Sequence, residues 1–252
     1  MKAITQRSLK VNPQFASAVK AAACRALDYL APQRCVYCDQ LSHTSEAVCE
    51  VCRDALCPND APCPRCGVPG VDDHLCPACL KQPPLLHSIT APYEYDAALA
   101  YFMHRWKYLG EQRLSLTAAK LMLKEPIYIE KVEYWLATPL HWRRELRRGF
   151  NQSEDLLRAL SALAPSIKAT PAKLARLSRR RATGSQAHAT RRERLSNLKG
   201  AFRVHGNVQG RTIGIVDDVC TTAATGNAMA ETLLDAGAAE VHLYCLARTP
   251  AR

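Results

Sequence analysis

The spacing of apolar positions changes several times along this 252-residue chain, and the changes mark its parts. Phe15, Val19, Ala23, Ala26, Leu27 and Leu30 recur at helical spacing behind Asn12-Pro13, an N-cap and a favourable first helical residue. The pattern predicts one amphipathic helix of about four turns, ended by Ala31-Pro32. Its apolar face is mostly alanine, so packing on protein is expected rather than insertion into a membrane surface. From Cys35 to Cys79 the periodicity disappears. Lys81-Gln82-Pro83-Pro84 reads as a stiff linker. Beyond it Tyr93 and Tyr95 mark a turn, and Leu99, Phe102, Met103 and Trp106 predict a helix with His104, Arg105 and Lys107 on its basic side. Leu114, Ala118, Leu121 and Met122 predict another helix. Residues 132–138 read as a strand stopped by Pro139, and Leu156, Leu157 and Leu160 as a helix. Ile213, Ile215 and Val216 form the β-branched run of a buried parallel strand. Met229, Leu233 and Leu234 return to helical spacing, and residues 240–247 form the last strand. The expected organisation is an N-terminal helix over 1–33, a cysteine module over 34–88, and a larger domain over 89–252.

The cysteine module changes the picture most. Four CxxC pairs stand in under fifty residues: Cys35 and Cys38, Cys49 and Cys52, Cys63 and Cys66, Cys76 and Cys79, with Cys57 left over. Each pair can place two sulfurs on one ion through a tight knuckle, and two pairs close a tetrahedron with no open position. Such a site is structural. The simplest grouping puts Cys35, Cys38, Cys49 and Cys52 on one Zn²⁺ and Cys63, Cys66, Cys76 and Cys79 on a second. Spacing also admits a cross-braced arrangement in which the first and third pairs share an ion. Redox CxxC motifs usually come singly on a thioredoxin-like pattern, which is absent here, and ribbon-like pairing fits zinc better than an iron–sulfur cluster. A module this small has too little core to fold alone, so metal binding must supply much of its stability.

At 48% apolar residues the chain can build a real core. No run of 18 apolar residues exists, so no membrane span is expected. Lys20, Arg25 and Asp28 interrupt the place where a signal-peptide core would lie, and a cytoplasmic location follows as the default. Twelve cysteines in such a compartment point to metal rather than disulfides. The formal charge of +11 falls to about +7 with eight thiolates on two zinc ions, still basic enough to imply a polyanionic partner or a polyphosphate substrate.

Two stretches carry candidate chemistry. In the first, the strand of Ile213 to Val216 ends on Asp217 and Asp218. Neighbouring strand residues point to opposite sides, so the pair can divide its work, one acid taking vicinal hydroxyls and the other facing a hydrated Mg²⁺. Thr221, Thr222, Ala223, Ala224, Thr225 and Gly226 follow, leading into a helix. Small residues, hydroxyls and a helix N-terminus together make a phosphate cradle. These residues resemble the ribose-phosphate loop of type I phosphoribosyltransferases. The resemblance implies that the acids contact the ribose hydroxyls of phosphoribosyl pyrophosphate (PRPP), bound with Mg²⁺, and that the turn wraps its 5′-phosphate. The usual glycine after the Thr pair is Ala223 here, so a left-handed backbone at that position would be strained.

The second stretch has four arginines after a strand: Leu140-His141-Trp142-Arg143-Arg144-Glu145-Leu146-Arg147-Arg148-Gly149-Phe150-Asn151-Gln152. Ligands of open α/β sheets bind at such strand ends. Pro139-Leu140-His141, followed by Arg-x3-Arg-Gly-Phe-Asn-Gln, resembles the ComF family of competence and DNA-utilisation proteins. The likeness continues through Arg179, Arg181, Thr183, Gln186, Arg194, Asn197 and Ala201-Phe202. It implies a type I phosphoribosyltransferase α/β fold, a central parallel sheet flanked by helices, behind a zinc-ribbon-like module. It also implies Arg148 near the PRPP site beside Asp217 and Asp218, and a lid carrying Arg179 to Asn197. Residues 173–199 hold seven arginines against the single acid Glu193, so they suit closing over pyrophosphate or tracking a nucleic-acid backbone. The expected function is Mg-PRPP binding, as a phosphoribosyltransferase of unnamed acceptor, tied to uptake or use of DNA. The alternative is a non-catalytic single-stranded DNA-binding competence factor on that scaffold. A DNA-uptake helicase or channel is the candidate protein partner.

Overall fold

A computed structural model describes residues 33–42, 46–72, 74–124, 132–180, 198 and 200–251. The expected N-terminal helix and Arg181, Thr183, Gln186, Arg194 and Asn197 lie outside the described residues. The chain divides into two compact units, Met1–Asp54 and Ala55–Arg252. In the first, β1 (Gln33–Arg34) pairs antiparallel with β2 (Leu41–Ser42), and the turn between them is the first cysteine knuckle. Asp39 takes the left-handed conformation there, φ 59°, and returns its N–H to the Cys35 carbonyl at 3.0 Å. A short helix, α1 (Glu50–Asp54), follows Cys49 and carries Cys52.

In the second unit the knuckle of Cys63 and Cys66 turns at Gly67, φ +64°. A Cβ on Gly67 would lie 2.6 Å from the carbonyl oxygen of Ile89, so only glycine lets the knuckle close this near the next segment. Helix α2 (Pro77–Lys81) begins directly after Cys76, with proline at its first position. The chain that follows the stiff Pro83-Pro84 segment is packed down at once. Leu86 is fully buried, and the Leu85 N–H donates to Asn227 Oδ1 at 3.0 Å.

The remaining elements run in order as β3 (Ser88–Thr90), β4 (Tyr93–Glu94), α3 (Ala97–Tyr108), α4 (Leu114–Lys124), β5 (Tyr134–Ala137), α5 (Trp142–Arg148), α6 (Gln152–Leu163), β6 (Ala175–Arg179), β7 (Phe202–Gly206), β8 (Thr212–Cys220), α7 (Ala224–Asp235) and β9 (Glu240–Arg248). Strands β3 and β4 both pair with β9, β9 with β8, and β8 with β5, and every pairing is parallel. Ile215 stands opposite Leu243 on one side and Leu136 on the other. Parallel strands need covered faces, and both are covered. Met229, Ala230 and Leu233 of α7 share a core with Ile213, Ile215, Val241 and Leu243. Alternation sends Trp135 and Tyr244 to the other face, their rings 4.8 Å apart, where α4 and α6 pack on each other and on the sheet. β6 and β7 form a separate antiparallel ribbon, with Arg179 opposite Phe202. Among the described residues no helix is long and apolar enough to cross a membrane.

The turn from β8 into α7 answers the question raised by Ala223. Its backbone sits at φ 57°, ψ 4°, the left-handed region, as the N-cap of α7 without a side-chain hydrogen bond. A left-handed L-residue costs about 1 kcal/mol, and glycine would relieve it at the expense of a looser unfolded chain. Ala223→Gly is therefore expected to be neutral or to stabilise by up to about 1 kcal/mol in urea unfolding. Ala224→Gly, one residue into the helix, is expected to cost about 1 kcal/mol. Equal losses from the two variants would show that Ala223 carries no strain.

Candidate functional site

At the C-terminal end of β8 the two adjacent acids are held by different elements. Asp218 Oδ2 pairs with Lys107 Nζ at 2.6 Å, and both side chains are largely shielded, at 13% and 20% exposure. Asp217 Oδ1 accepts from Ser153 Oγ at 3.0 Å and from the Asp218 N–H at 2.9 Å. Burial, and then the charge of Asp218, push the Asp217 carboxyl up to about 6, even though these donors and Lys107 favour its charged form. Burial would lower Lys107, but the charge of Asp218, its hydrogen bond and the charge of Asp217 more than offset this and hold it above its usual range.

The start of α6 supplies the next layer. Asn151 caps the helix, its Oδ1 accepting from the Ser153 N–H at 3.1 Å, while its Nδ2 donates to the Thr138 carbonyl at 3.1 Å. That cap fastens the end of β5 to α6 and aims Ser153 at Asp217. Gln152 is 1% exposed. Its Oε1 accepts from Arg148 Nη1 at 3.0 Å, and the Arg148 guanidinium stacks on Tyr108 at 5.2 Å. Gln152 Nε2, Arg148 Nε and Thr138 Oγ1 are buried without hydrogen-bond partners among the described residues. Buried unpaired donors are costly, and a cluster of them points to an absent acceptor. Arg179, on β6, stacks on Phe202 at 5.5 Å, and its environment includes the charges of Arg144 and Asp217. His141 caps α5 through Nδ1, which accepts from the Arg143 N–H at 3.3 Å. Burial, then Arg143, Arg179 and Arg144, lower its pKa.

Beyond Cys220 the chain leaves the sheet. Thr221 and Thr222 are exposed, Thr225 is half-buried, and Ala223, Ala224 and Gly226 are buried. The Ala224 N–H donates to Thr222 Oγ1 at 3.4 Å and the Ala223 N–H to the Cys220 thiol, whereas the N–H groups of Thr221 and Thr222 have no acceptor among the described residues. One end of the sheet thus brings together Asp217, Asp218, Arg148, Arg179 and a turn with open amides. Two carboxylates beside such donors can take a hydroxylated, multiply charged anion.

Sequence reasoning did not single out Lys107, Tyr108 or Ser153 as site residues. Lys107 was legible in principle: it lies four residues after buried Met103 and next to buried Trp106, on the flank of an apolar stripe. Ser153 had no signal of its own, because its partner is 64 residues away.

The cysteines group sequentially, not cross-braced. The ligand atoms of Cys35, Cys38, Cys49 and Cys52 lie within 4.8 Å of one another, as do those of Cys63, Cys66, Cys76 and Cys79. Tetrahedral zinc with sulfur at about 2.3 Å needs sulfurs about 3.8 Å apart, and Cys38–Cys49 and Cys66–Cys76 stand at 3.7 and 3.6 Å. Burial would raise the thiols of Cys35 and Cys63, but knuckle amides bring them down to about 6 and about 7. Burial and the neighbouring thiols push Cys52 and Cys79 up, so it is the sulfur spacing of both sets that fits a bound zinc ion.

Known proteins agree with this architecture. Residues 26–80 match the double zinc ribbon domain, and residues 146–252 match the phosphoribosyl transferase domain. The DNA utilization protein YhgH of Escherichia coli O157:H7 is 35% identical over 209 residues, covering 80% of this chain and 90% of that protein. Competence protein F of Haemophilus influenzae is 27% identical over 232 residues, covering 85% and 96%. Competence protein ComFC of Streptococcus pneumoniae is 29% identical over 158 residues, covering 63% and 67%. With its paired four-cysteine clusters and its phosphoribosyltransferase domain, this chain belongs to the ComF/YhgH family of competence and DNA-utilisation proteins.

Proposed function

We propose that this chain binds the magnesium complex of PRPP at the C-terminal end of β8 and transfers its phosphoribosyl group to a nitrogen acceptor. The observation that carries the reading is the pairing, within one strand end, of the shielded acids Asp217 and Asp218 with the open amides of Thr221 and Thr222. In this reading the acids accept hydrogen bonds from the ribose hydroxyls, and the turn to Gly226 receives the 5′-phosphate at the start of α7. Bound Mg²⁺ would neutralise pyrophosphate charge. Arg148, held by Gln152 and Tyr108, and Arg179 face the leaving group, where negative charge grows as the C1′–O bond breaks. The electron pair departs with pyrophosphate, the nitrogen–C1′ bond forms, and the nitrogen's proton passes to solvent. Lys107 keeps the acid pair from repelling a polyanion. Arg181, Thr183, Gln186, Arg194 and Asn197 would complete the lid.

A second reading has its own observation. On α5, Trp142 is 57% exposed with Arg143 stacked on its ring at 5.2 Å, and Leu146 is 75% exposed among arginines. Aromatic faces beside cations suit single-stranded nucleic acid. The relatives named for competence and DNA utilisation support this role, and it is compatible with the first. In either case the reading includes two structural zinc ions.

Three outcomes test the proposal. In calorimetry, wild type is expected to bind Mg-PRPP, and Asp217→Ala with Asp218→Ala to lose detectable binding while retaining salt-sensitive affinity for single-stranded DNA. No heat from wild type would leave the DNA reading alone.

The raised Asp217 carboxyl makes a second test. An unfolded aspartate titrates near 3.9, so between about pH 4 and the folded value of about 6 the native state holds the extra proton. Stability from this group is thus present at low pH and lost as pH rises through 6. The melting temperature of wild type minus that of Asp217→Asn should move in favour of wild type as pH falls from 7 to 5. A flat difference would place Asp217 in an ordinary aqueous setting.

Metal analysis should give two zinc ions per chain, and a strong chelator should unfold residues 35–80 in limited proteolysis. An unchanged cleavage pattern after complete metal removal would contradict a structural role.

A further inference from the structure

Arg248 ends β9 and is 6% exposed. Among the described residues its guanidinium bonds only to backbone carbonyls. Nε donates to Cys66 O at 2.9 Å, and Nη1 is shared among Cys220 O at 3.1 Å, Thr249 O at 3.0 Å and the closely approaching Thr221 O. A buried cation without a carboxylate is expensive and is not kept for packing alone.

The geometry of the peptide group says what those bonds accomplish. In a trans peptide the C=O of one residue and the N–H of the next lie in one plane and point opposite ways. Drawing the carbonyls of Cys220 and Thr221 toward Arg248 therefore turns the N–H groups of Thr221 and Thr222 away from it. Neither of those two amides finds an acceptor among the described residues. The same side chain reaches Cys66, a member of the second four-cysteine cluster. Its positive charge sits behind the turn, where it adds to the field of the α7 N-terminus.

We propose that Arg248 is a positioning residue for the anion turn: it aims the Thr221 and Thr222 amides at the 5′-phosphate and braces them against the Cys66 knuckle, so phosphate affinity depends on an intact second cluster. This rests on the phosphate assignment made above. It adds that the cysteine knuckle serves the binding site as well as the fold.

The test compares wild type, Arg248→Met, Arg248→Lys and Cys79→Ser by calorimetry with Mg-PRPP, ribose 5-phosphate and magnesium pyrophosphate. Hydrogen exchange is followed in residues 60–68 and 218–228. Arg248→Met is expected to weaken PRPP and ribose 5-phosphate roughly tenfold or more, to leave pyrophosphate affinity within about twofold, and to speed exchange in both segments. Arg248→Lys should recover part of the affinity, because an ammonium keeps the charge but not the two-directional fork. Cys79→Ser should speed exchange in 218–228. Wild-type affinity in Arg248→Met, an equal loss for pyrophosphate, or exchange that rises in 60–68 alone would overturn the inference. If Arg248→Met does not fold, the affinity and exchange of Arg248→Lys decide it by the same criteria. If wild type binds neither phosphate ester, the phosphate reading fails, and the exchange of 218–228 in Cys79→Ser still decides whether knuckle and turn are coupled.

Discussion

Two carboxylates on consecutive residues at the end of a buried strand repel each other, and the rest of the site is arranged to hold them there. Lys107 from α3 neutralises Asp218, while Ser153 from α6 and the strand's own amide satisfy Asp217. These tethers reach the sheet end from separate helices, so each helix must dock correctly for the acids to keep their places. The buried residues Phe102, Met103 and Trp106 fix α3, and Leu156, Leu157 and Leu160 fix α6. Core packing far from any ligand thereby becomes a condition of the local charge balance. Without Lys107 the pair would meet an incoming polyanion with two like charges, and the neighbouring arginines would have to offset both.

How much of this could be read from residues depended on whether a feature is local. The cysteine pairs, the β8 acids and the helix of Met229 and Leu233 each fit within a few residues, where spacing carries the information. The α3 and α4 stripes were equally legible, because periodicity reports a buried face. Features made by distant residues were not. The bond of Ser153 to Asp217 spans 64 positions and that of Leu85 to Asn227 spans 142, and no periodicity reports either. β6 was hidden differently: Arg176 and Arg179 made its neighbourhood read as a basic lid, although Ala175 and Leu177 alternate inward and pair across to β7. Short α5 was obscured in the same way by its arginines. Ala223 shows that a departure from a family pattern can leave the backbone where the pattern puts it, with the cost borne as local strain.

The family's two named parts, zinc ribbon and phosphoribosyltransferase domain, do not coincide with the packing of the chain. The ribbon match runs through residue 80, yet the compact units part after Asp54. The second knuckle therefore shares a core with the sheet: Cys63, Cys66, Cys76 and Cys79 belong to the same buried cluster as Ile213 and Leu243.

The two four-cysteine sets are alike in sequence but face solvent differently. Cys38 is exposed and Cys49 and Cys52 are only partly covered, whereas all four sulfur ligands of the second set are buried. Exchange of a thiolate-bound ion proceeds by attack of an incoming ligand on the metal, so it is governed by access. A zinc ion held by the first set would trade readily with competing thiols and follow the free zinc level of its surroundings. One held by the second set would leave only when the surrounding core opens, and would be retained through the same fluctuations.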